Sequence, residues 1–289
     1  EASAFAVRLI QDDAALGELT SRSVLSGELL DATFVFEESE EHYQVGTRYR
    51  GSPWNRASSP PMFRVRFGKE ERHRGFRAID LNRWGREQNE RATYYTIWQS
   101  STPATTCPMS RGAFALVKSY DGAAPMEMVE PVNGDYLALW FPGDEDGTAL
   151  KLNGLQIFDD DGTFRTDLLR WAGYEYRGTG ASKYRWNFSH RTREIEDDFS
   201  RLEALLEKIA ASEETLDLEL EQVMDVEQFL RVYAARTAAV NWDTLGLGPY
   251  GHNAYFYHAP VEGRWKLLPW DLDNSWETSR QTRKTTGQA

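Results

Sequence analysis

The stretch that decides the fold of this chain is residues 241–276, which read NWDTLGLGPYGHNAYFYHAPVEGRWKLLPWDLDNSW. A helical apolar pattern ends at its first residue, and a glycine-rich loop then leads to Asn253. The aromatic-rich segment that follows, the turn at 260–263 and the segment Arg264–Trp270 together predict a two-stranded hairpin. Because a hairpin brings its two ends together, we expect Asn253 to lie beside Asp271.

Four polar side chains are expected to converge at this end of the hairpin: Asp243, Asn253, Asp271 and Asp273. Phosphoryl transfer needs a metal ion held against the phosphates and a hydroxyl pointed in line, and Mg²⁺ prefers oxygen ligands of this kind. Protein kinases place an Asp, an Asn, a hairpin and a metal-binding Asp in the same order. The gap from Asp243 to Asn253 is longer than in the ordinary kinase loop, so the similarity lies in the order of the residues.

Other metal sites are less well supported by the sequence. The string Asp271-Leu-Asp273 begins like a calcium-binding EF-hand, but that loop needs Gly at its sixth position and Glu at its twelfth. This chain has Trp276 and Thr282 there, which excludes an EF-hand. The five histidines predict no metal cluster. Whether His252 touches the site or only supports its loop is left open.

The first part of the chain has the pattern of a sheet. Apolar and polar residues alternate in Thr33–Phe36, Tyr43–Tyr49 and Phe63–Phe67, and a further hairpin is predicted within 113–130. A helix is predicted over Arg86–Gln99. We therefore expect an N-terminal lobe that is mostly an antiparallel sheet with one helix.

The second part has a helical pattern. Apolar residues recur at helical spacing after Phe199, and again after Asp225, a predicted N-cap with Gln228 three residues later. We expect the second of these helices to run to about Asn241. The predicted domains are an N-terminal lobe at 1–132 and a helical C-terminal lobe at 133–289 that carries the hairpin, with a hinge near the boundary.

Charge and composition exclude some functions. Acidic residues outnumber basic ones by 45 to 33, for a formal net charge of −12, which argues against a nucleic-acid partner. Cys107 is the only cysteine, so neither an intrachain disulfide nor a cysteine-based zinc site is expected. No apolar run is long enough to predict insertion into a membrane. The start at Glu1 and the polar run from Ser279 suggest a trimmed chain with a truncated C-terminal part.

These motifs together resemble those of the CotH (spore-coat protein H) kinase family. The most specific piece is the Pro-Trp-Asp-Leu-Asp string at 269–273, and Asn241-Trp-Asp243 and His252-Asn253 also match. The resemblance continues upstream, in the same order along the chain, through residues 45–51, 63–67, 120–130, 150–151 and 196–202.

The resemblance implies an α+β, two-lobed, atypical protein-kinase-like fold. It also implies an enzyme that uses ATP with Mg²⁺ or Mn²⁺ to phosphorylate Ser or Thr in a protein substrate. Asp243 would be the catalytic residue, and Asp271 the metal ligand, assisted by Asn253 and Asp273. A bacterial protein of the spore coat or cell surface, or an exported one, would be expected.

The nucleotide side of the site is implied less clearly. The resemblance assigns it Arg50, Arg64, Glu130 and Lys151. Either Arg64 or Lys151 would anchor the phosphates, because Arg64 stands where the family has Lys and the two are not interchangeable. Glu130 would either lie on the adenine or ribose side of the nucleotide or only end a strand.

Two departures from the family pattern, the changed loop at 50–55 and Arg64 in place of Lys, keep other functions open. The family's Arg-Gly-Asn-Ser-Ser loop is replaced by Arg50-Gly-Ser-Pro-Trp-Asn55, in which Pro53 lacks a backbone donor. Glu87 or Glu90 would pair with the phosphate anchor, or both lie at the surface. The alternatives are a pseudokinase-type nucleotide-binding or assembly module without turnover, and a kinase-like enzyme with a non-protein acceptor.

Overall fold

A computed structural model describes residues 5–56, 58–83, 110, 112–155, 159, 163, 165, 170–211, 216–246 and 251–276. The chain divides into two compact units. Unit 1 lies within residues 1–87 and 110–136, and unit 2 holds the described residues from 137 onward.

Unit 1 is a closed β-barrel. Its strands follow one another in the order β1-β2-β3-β4-β5-β7-β6, and β6 then pairs with β1. The neighbours are antiparallel except for β1 and β6, which pair in parallel from Phe5↔Ala115 to Arg8↔Lys118. The strands are β1 (Phe5–Ile10), β2 (Leu30–Phe36), β3 (Glu40–Tyr49), β4 (Phe63–Arg66), β5 (Ala78–Arg83), β6 (Gly112–Ser119) and β7 (Gly122–Val129).

The barrel interior is apolar because alternate residues of each strand point inward. Phe34, Phe63, Leu81 and Val117 have no solvent exposure. Helix α1 (Asp13–Ser21) follows β1, and its N-cap Asp12 accepts a hydrogen bond from the Ala15 N–H at 2.7 Å. Helix α2 (Pro53–Arg56) is a short helix in the connection between β3 and β4.

Unit 2 contains a four-stranded antiparallel sheet in the order β11-β8-β12-β13 and a small pair of strands, β9 and β10. The predicted hairpin is confirmed as β12 and β13. The strands are β8 (Thr148–Leu152), β9 (Gly154–Leu155), β10 (Arg170–Trp171), β11 (Phe188–His190), β12 (Ala254–Ala259) and β13 (Arg264–Pro269).

Helices cover one face of this sheet. The apolar stripe of α4 (Ser200–Ile209) packs with Phe256 and Trp265 in one core, which also receives Phe229 and Val232. Asp225 caps α6 (Val226–Ala238) through the Gln228 N–H at 3.1 Å, as predicted, but this helix ends at Ala238. The helices are α3 (Gly134–Trp140), α4 (Ser200–Ile209), α5 (Leu216–Val223) and α6 (Val226–Ala238). None of the helices in the described ranges is both long and apolar enough to cross a bilayer.

The predicted two-lobed kinase-like fold is wrong. The N-terminal sheet is closed into a barrel, and the C-terminal part is not a helical lobe, because it contains a four-stranded sheet. The error has a physical reason: closure rests on the pairing of β1 with β6, and residues so far apart leave no local pattern. The predicted helix Arg86–Gln99, with Glu87 and Glu90, lies outside the described residues.

Candidate active site at the end of the hairpin

The hairpin brings its two ends together as the sequence predicts. The register pairs Ala254 with Pro269, which sets Asn253 beside Trp270 and next to Asp271. Asn253 and Asp271 both have left-handed backbones, with φ of 58° and 55°. Asn and Asp tolerate this conformation better than most side chains, and such residues cluster at functional sites.

The carboxylate of Asp243 is held from three sides. Asn253 Nδ2 donates to its Oδ2 at 3.3 Å and to its backbone oxygen at 2.9 Å. Asn274 Nδ2 donates to the same Oδ2 at 3.0 Å, and His252 Nε2 lies 3.2 Å from Oδ1. The side chain is still 17% exposed, so the carboxylate is oriented but remains open to a ligand.

Asp273 joins the same network through its neighbour. Asn274 Nδ2, which donates to Asp243, also donates to Asp273 Oδ1 at 3.0 Å. The turn that carries both residues is fixed by a bond from the Ser275 N–H to Leu272 O, and by one from the Trp276 N–H to Ala239 O at 2.7 Å. The segment after the hairpin is therefore tied back to the end of α6.

Arg236 fixes the position of the hairpin ends. This residue of α6 is 1% exposed, and its guanidinium donates to Asn253 O at 3.0 Å and to Trp270 O at 3.1 Å. It also donates to the side chain of Asn241 at 3.1 Å. One buried cation thus ties α6 to the residue before β12 and to the residue before Asp271.

The loop that leads to Asn253 also packs tightly. The ring of His252 stacks on Trp171 with centroids 4.4 Å apart. A Cβ on Gly251 would overlap the backbone of Ala172, so only glycine fits there. These contacts hold the imidazole against Asp243, and His252 therefore belongs to the site.

The site offers carboxylate and amide oxygens, the type of ligand that Mg²⁺ prefers. The Nδ2 of Asn253 is turned toward Asp243, which leaves its Oδ1 as the acceptor. In the part of the chain that the structure describes, the carboxylate of Asp271 has no hydrogen-bond or ion-pair partner. We give the name acid–amide cluster to Asp243, Asn253, Asp271, Asp273 and Asn274. Hydrogen bonds join four of them, and Asp271 follows Trp270 at the end of the same hairpin.

Lys151 lies in the four-stranded sheet to which the hairpin belongs. It is in β8, directly beside Tyr255 of β12, two residues along from Asn253. Its neighbours Leu150 and Leu152 point into the core, so the half-buried Lys151 side chain lies on the other face of the sheet.

Three predicted nucleotide-side residues lie in unit 1. Arg50 and Arg64 converge on Asp80, a carboxylate with no solvent exposure, at 2.9 and 2.7 Å. Burial alone would raise the pKa of Asp80, but the two guanidinium groups outweigh it and hold this pKa well below its usual range. Glu130 follows β7 and is buried, at 2% exposure.

Sequence reasoning missed Asn274, Arg236 and Asp80. Asn274 directly follows Asp273, and an amide next to two acids is a signal that was available. Arg236 stands four residues after Val232 on the buried face of α6, where a charged residue in an apolar stripe indicates a specific partner. Asp80 carried no such signal, because its partners Arg50 and Arg64 come from earlier parts of the chain.

Comparison with known proteins gives the class of protein. A family model described as CotH kinase protein matches residues 129–289, and the chain belongs to this family. It is also similar to the inner spore coat protein H of Bacillus subtilis (strain 168), at 23% identity over 247 residues. That alignment covers 84% of this chain and 61% of the relative, so the chain spans less than two thirds of the relative's length. The family resemblance inferred from the motifs is confirmed.

Proposed function

We propose that this chain is an ATP- and metal-dependent phosphotransferase that phosphorylates Ser or Thr hydroxyls of a protein substrate. The observation that carries the proposal is the carboxylate of Asp243, held by Asn253, Asn274 and His252 at the end of a hairpin that also carries Asp271. Membership of the CotH kinase protein family supports it.

Asp243 is the group that orients the acceptor hydroxyl. The amides on Oδ2 and the imidazole on Oδ1 fix the carboxylate plane, so that little reorganisation is needed when a hydroxyl approaches. In this role Asp243 accepts the hydroxyl proton as the oxygen bonds to the terminal phosphorus of ATP, and the bond from that phosphorus to the bridging oxygen breaks to release ADP.

The residues that would hold the metal are Asp271, Asn253 through its Oδ1, and Asp273. When bound, Mg²⁺ or Mn²⁺ supplies positive charge against the phosphate oxygens of ATP. Lys151, on the non-core face of the same sheet, is the cation that we assign to the phosphates. Of the two anchors that the sequence left open, we favour Lys151 because it lies on β8 beside β12, in the same unit as the acid–amide cluster.

A second candidate is a nucleotide-binding or assembly module without turnover. The observation that favours it is the ion pairing of both Arg50 and Arg64 with Asp80, which engages two cations that the family resemblance assigns to the nucleotide. We further propose an association with the bacterial spore coat, in line with the name of the Bacillus subtilis relative.

Mass spectrometry tests the reaction. Incubation with ATP and Mg²⁺ or Mn²⁺, together with a basic, Ser-rich peptide, is expected to place phosphate on the peptide or on the protein itself. Asp243→Asn should abolish this transfer, whereas Glu221→Gln, the same change at an exposed residue of α5, should not alter it.

Other outcomes decide against the proposal in different ways. ADP formation without phosphate on either polypeptide would point to a non-protein acceptor. ATP binding without ADP formation would favour the module without turnover. Equal transfer by wild type and Asp243→Asn would remove Asp243 from the mechanism.

A further inference from the structure

Two histidines that lie far apart in sequence meet one carboxylate in unit 1. Glu40 and His42 are two residues apart on β3 and therefore share a face of the strand. His73 comes from the connection between β4 and β5. Glu40 Oε1 lies 2.9 Å from His42 Nε2 and 2.9 Å from His73 Nδ1, and the ligand atoms of all three lie within 4.8 Å of one another.

Aromatic rings surround this triad at one end of the barrel. Phe34 and Phe36 pack against His73 with centroids 5.0 and 4.9 Å away, and Phe67 lies 5.0 Å from His42. The side chain of His73 is 2% exposed, that of His42 11% and that of Glu40 38%. The imidazoles are thus held in an apolar wall, and Glu40 opens to solvent.

We propose that Glu40, His42 and His73 form a binding site for a divalent transition-metal ion of the zinc type. Two imidazole nitrogens and one carboxylate oxygen are a ligand set that Zn²⁺ takes, with a fourth position left for water. The ligands differ in kind from the oxygen donors of the acid–amide cluster, which suit Mg²⁺ or Mn²⁺. This site is independent of the proposed phosphotransferase activity.

The geometry needs only a small adjustment to take the ion. Ligand atoms around a tetrahedral zinc lie about 3.3 Å apart, given zinc–ligand distances of about 2.0 Å. The carboxylate is now 2.9 Å from each imidazole, and Glu40 is the most exposed of the three ligands. The guanidinium of Arg74 lies 5.0 Å from the ring of Phe36. This nearby positive charge repels a bound cation and therefore lowers the affinity of the site.

Metal titration of the whole chain tests the proposal. Zn²⁺ is added in calorimetry with a large excess of Mg²⁺ present, which occupies oxygen-only sites, and we expect one zinc ion bound per chain. Co²⁺ in place of zinc should give the visible absorption of a four-coordinate ion. His42→Ala and Glu40→Gln should each weaken zinc binding by at least about tenfold, because the first removes a ligand and the second replaces an anionic carboxylate with a neutral amide.

Matched variants control for indirect effects. Glu41→Gln makes the same change at the neighbouring exposed residue, and His190→Ala removes a histidine of unit 2; neither should alter the zinc affinity. Thermal unfolding with and without Zn²⁺ gives a second readout, since a ligand that binds only the folded state raises the melting temperature. The proposal is overturned if wild type binds no zinc under these conditions, or if His42→Ala and Glu40→Gln bind it as wild type does.

Discussion

At the scale of single residues, a buried charged side chain in each unit fixes the position of the groups that are bonded to it. Arg236 holds the hairpin ends of unit 2, and Asp80 holds Arg50 and Arg64 in unit 1. A buried charge is costly unless it is fully paired and hydrogen-bonded, so each of these groups depends on its partners. Removing one of them therefore has a large and measurable effect.

Arg236→Met should strongly destabilise unit 2. The change leaves the carbonyls of Asn253 and Trp270 without the hydrogen bonds that a charged donor supplied, at an expected loss of about 3 kcal/mol or more in the free energy of unfolding. Arg231→Met on the same helix removes an exposed pair with Glu227, which should cost no more than about 0.5 kcal/mol. Urea denaturation compares the two, and equal effects would contradict the assigned role of Arg236.

Asp80→Asn should make the stability of unit 1 less sensitive to acid. The pKa of Asp80 is lower in the folded state than in the unfolded chain, so its stabilisation is present above the unfolded pKa of about 4 and is lost as the pH falls below it. Wild type should exceed the variant by about 3 kcal/mol at neutral pH, with a smaller difference in strong acid. Urea titrations at several pH values measure this difference, and a gap that stays constant into strong acid would count against the ion pair.

At the scale of elements, the segment that follows the end of α6 positions Asp243 in the candidate site. The helix ends at Ala238, and Val240 then adopts a left-handed backbone with φ of 54° before the chain reaches Asn241. A β-branched residue is strained in that conformation, whereas glycine adopts it freely and is common just after a helix. The strain is part of the local geometry that turns the chain toward the hairpin.

Val240→Gly should therefore stabilise the protein, by about 1 kcal/mol, because it relieves this strain. The matched change Val261→Gly lies in the hairpin turn, where the residue it replaces has no left-handed backbone, and should be neutral or slightly destabilising. The midpoint of urea unfolding distinguishes them. A loss of stability in Val240→Gly, similar to that in Val261→Gly, would show that the left-handed turn stores no strain.

The elements also show which features the sequence could predict. Strands β2, β3 and β4, the hairpin β12–β13 and the Asp225 cap follow from alternation, turn residues and capping, which are local signals. The meeting of Asn253 with Asp271 follows from the hairpin itself. Barrel closure and the triad of Glu40, His42 and His73 depend on contacts between distant segments, which no local pattern records.

At the scale of the whole molecule, the chain belongs to the CotH kinase protein family and combines a barrel with a separate sheet-and-helix unit. The acid–amide cluster lies entirely within unit 2, inside the span matched by the family model. The family match and the candidate chemistry therefore fall on the same part of the chain. This coincidence makes the cluster the part of the molecule on which the proposed function depends.

ATP turnover with and without divalent metal is the most direct test of that function, measured for wild type, Asp271→Ala and the exposed control Glu221→Ala. We predict metal-dependent ADP release by wild type and Glu221→Ala, and a loss of at least about a hundredfold in Asp271→Ala while the fold is retained by circular dichroism. Turnover that is unchanged in Asp271→Ala, or absent from wild type with both Mg²⁺ and Mn²⁺, would contradict the account.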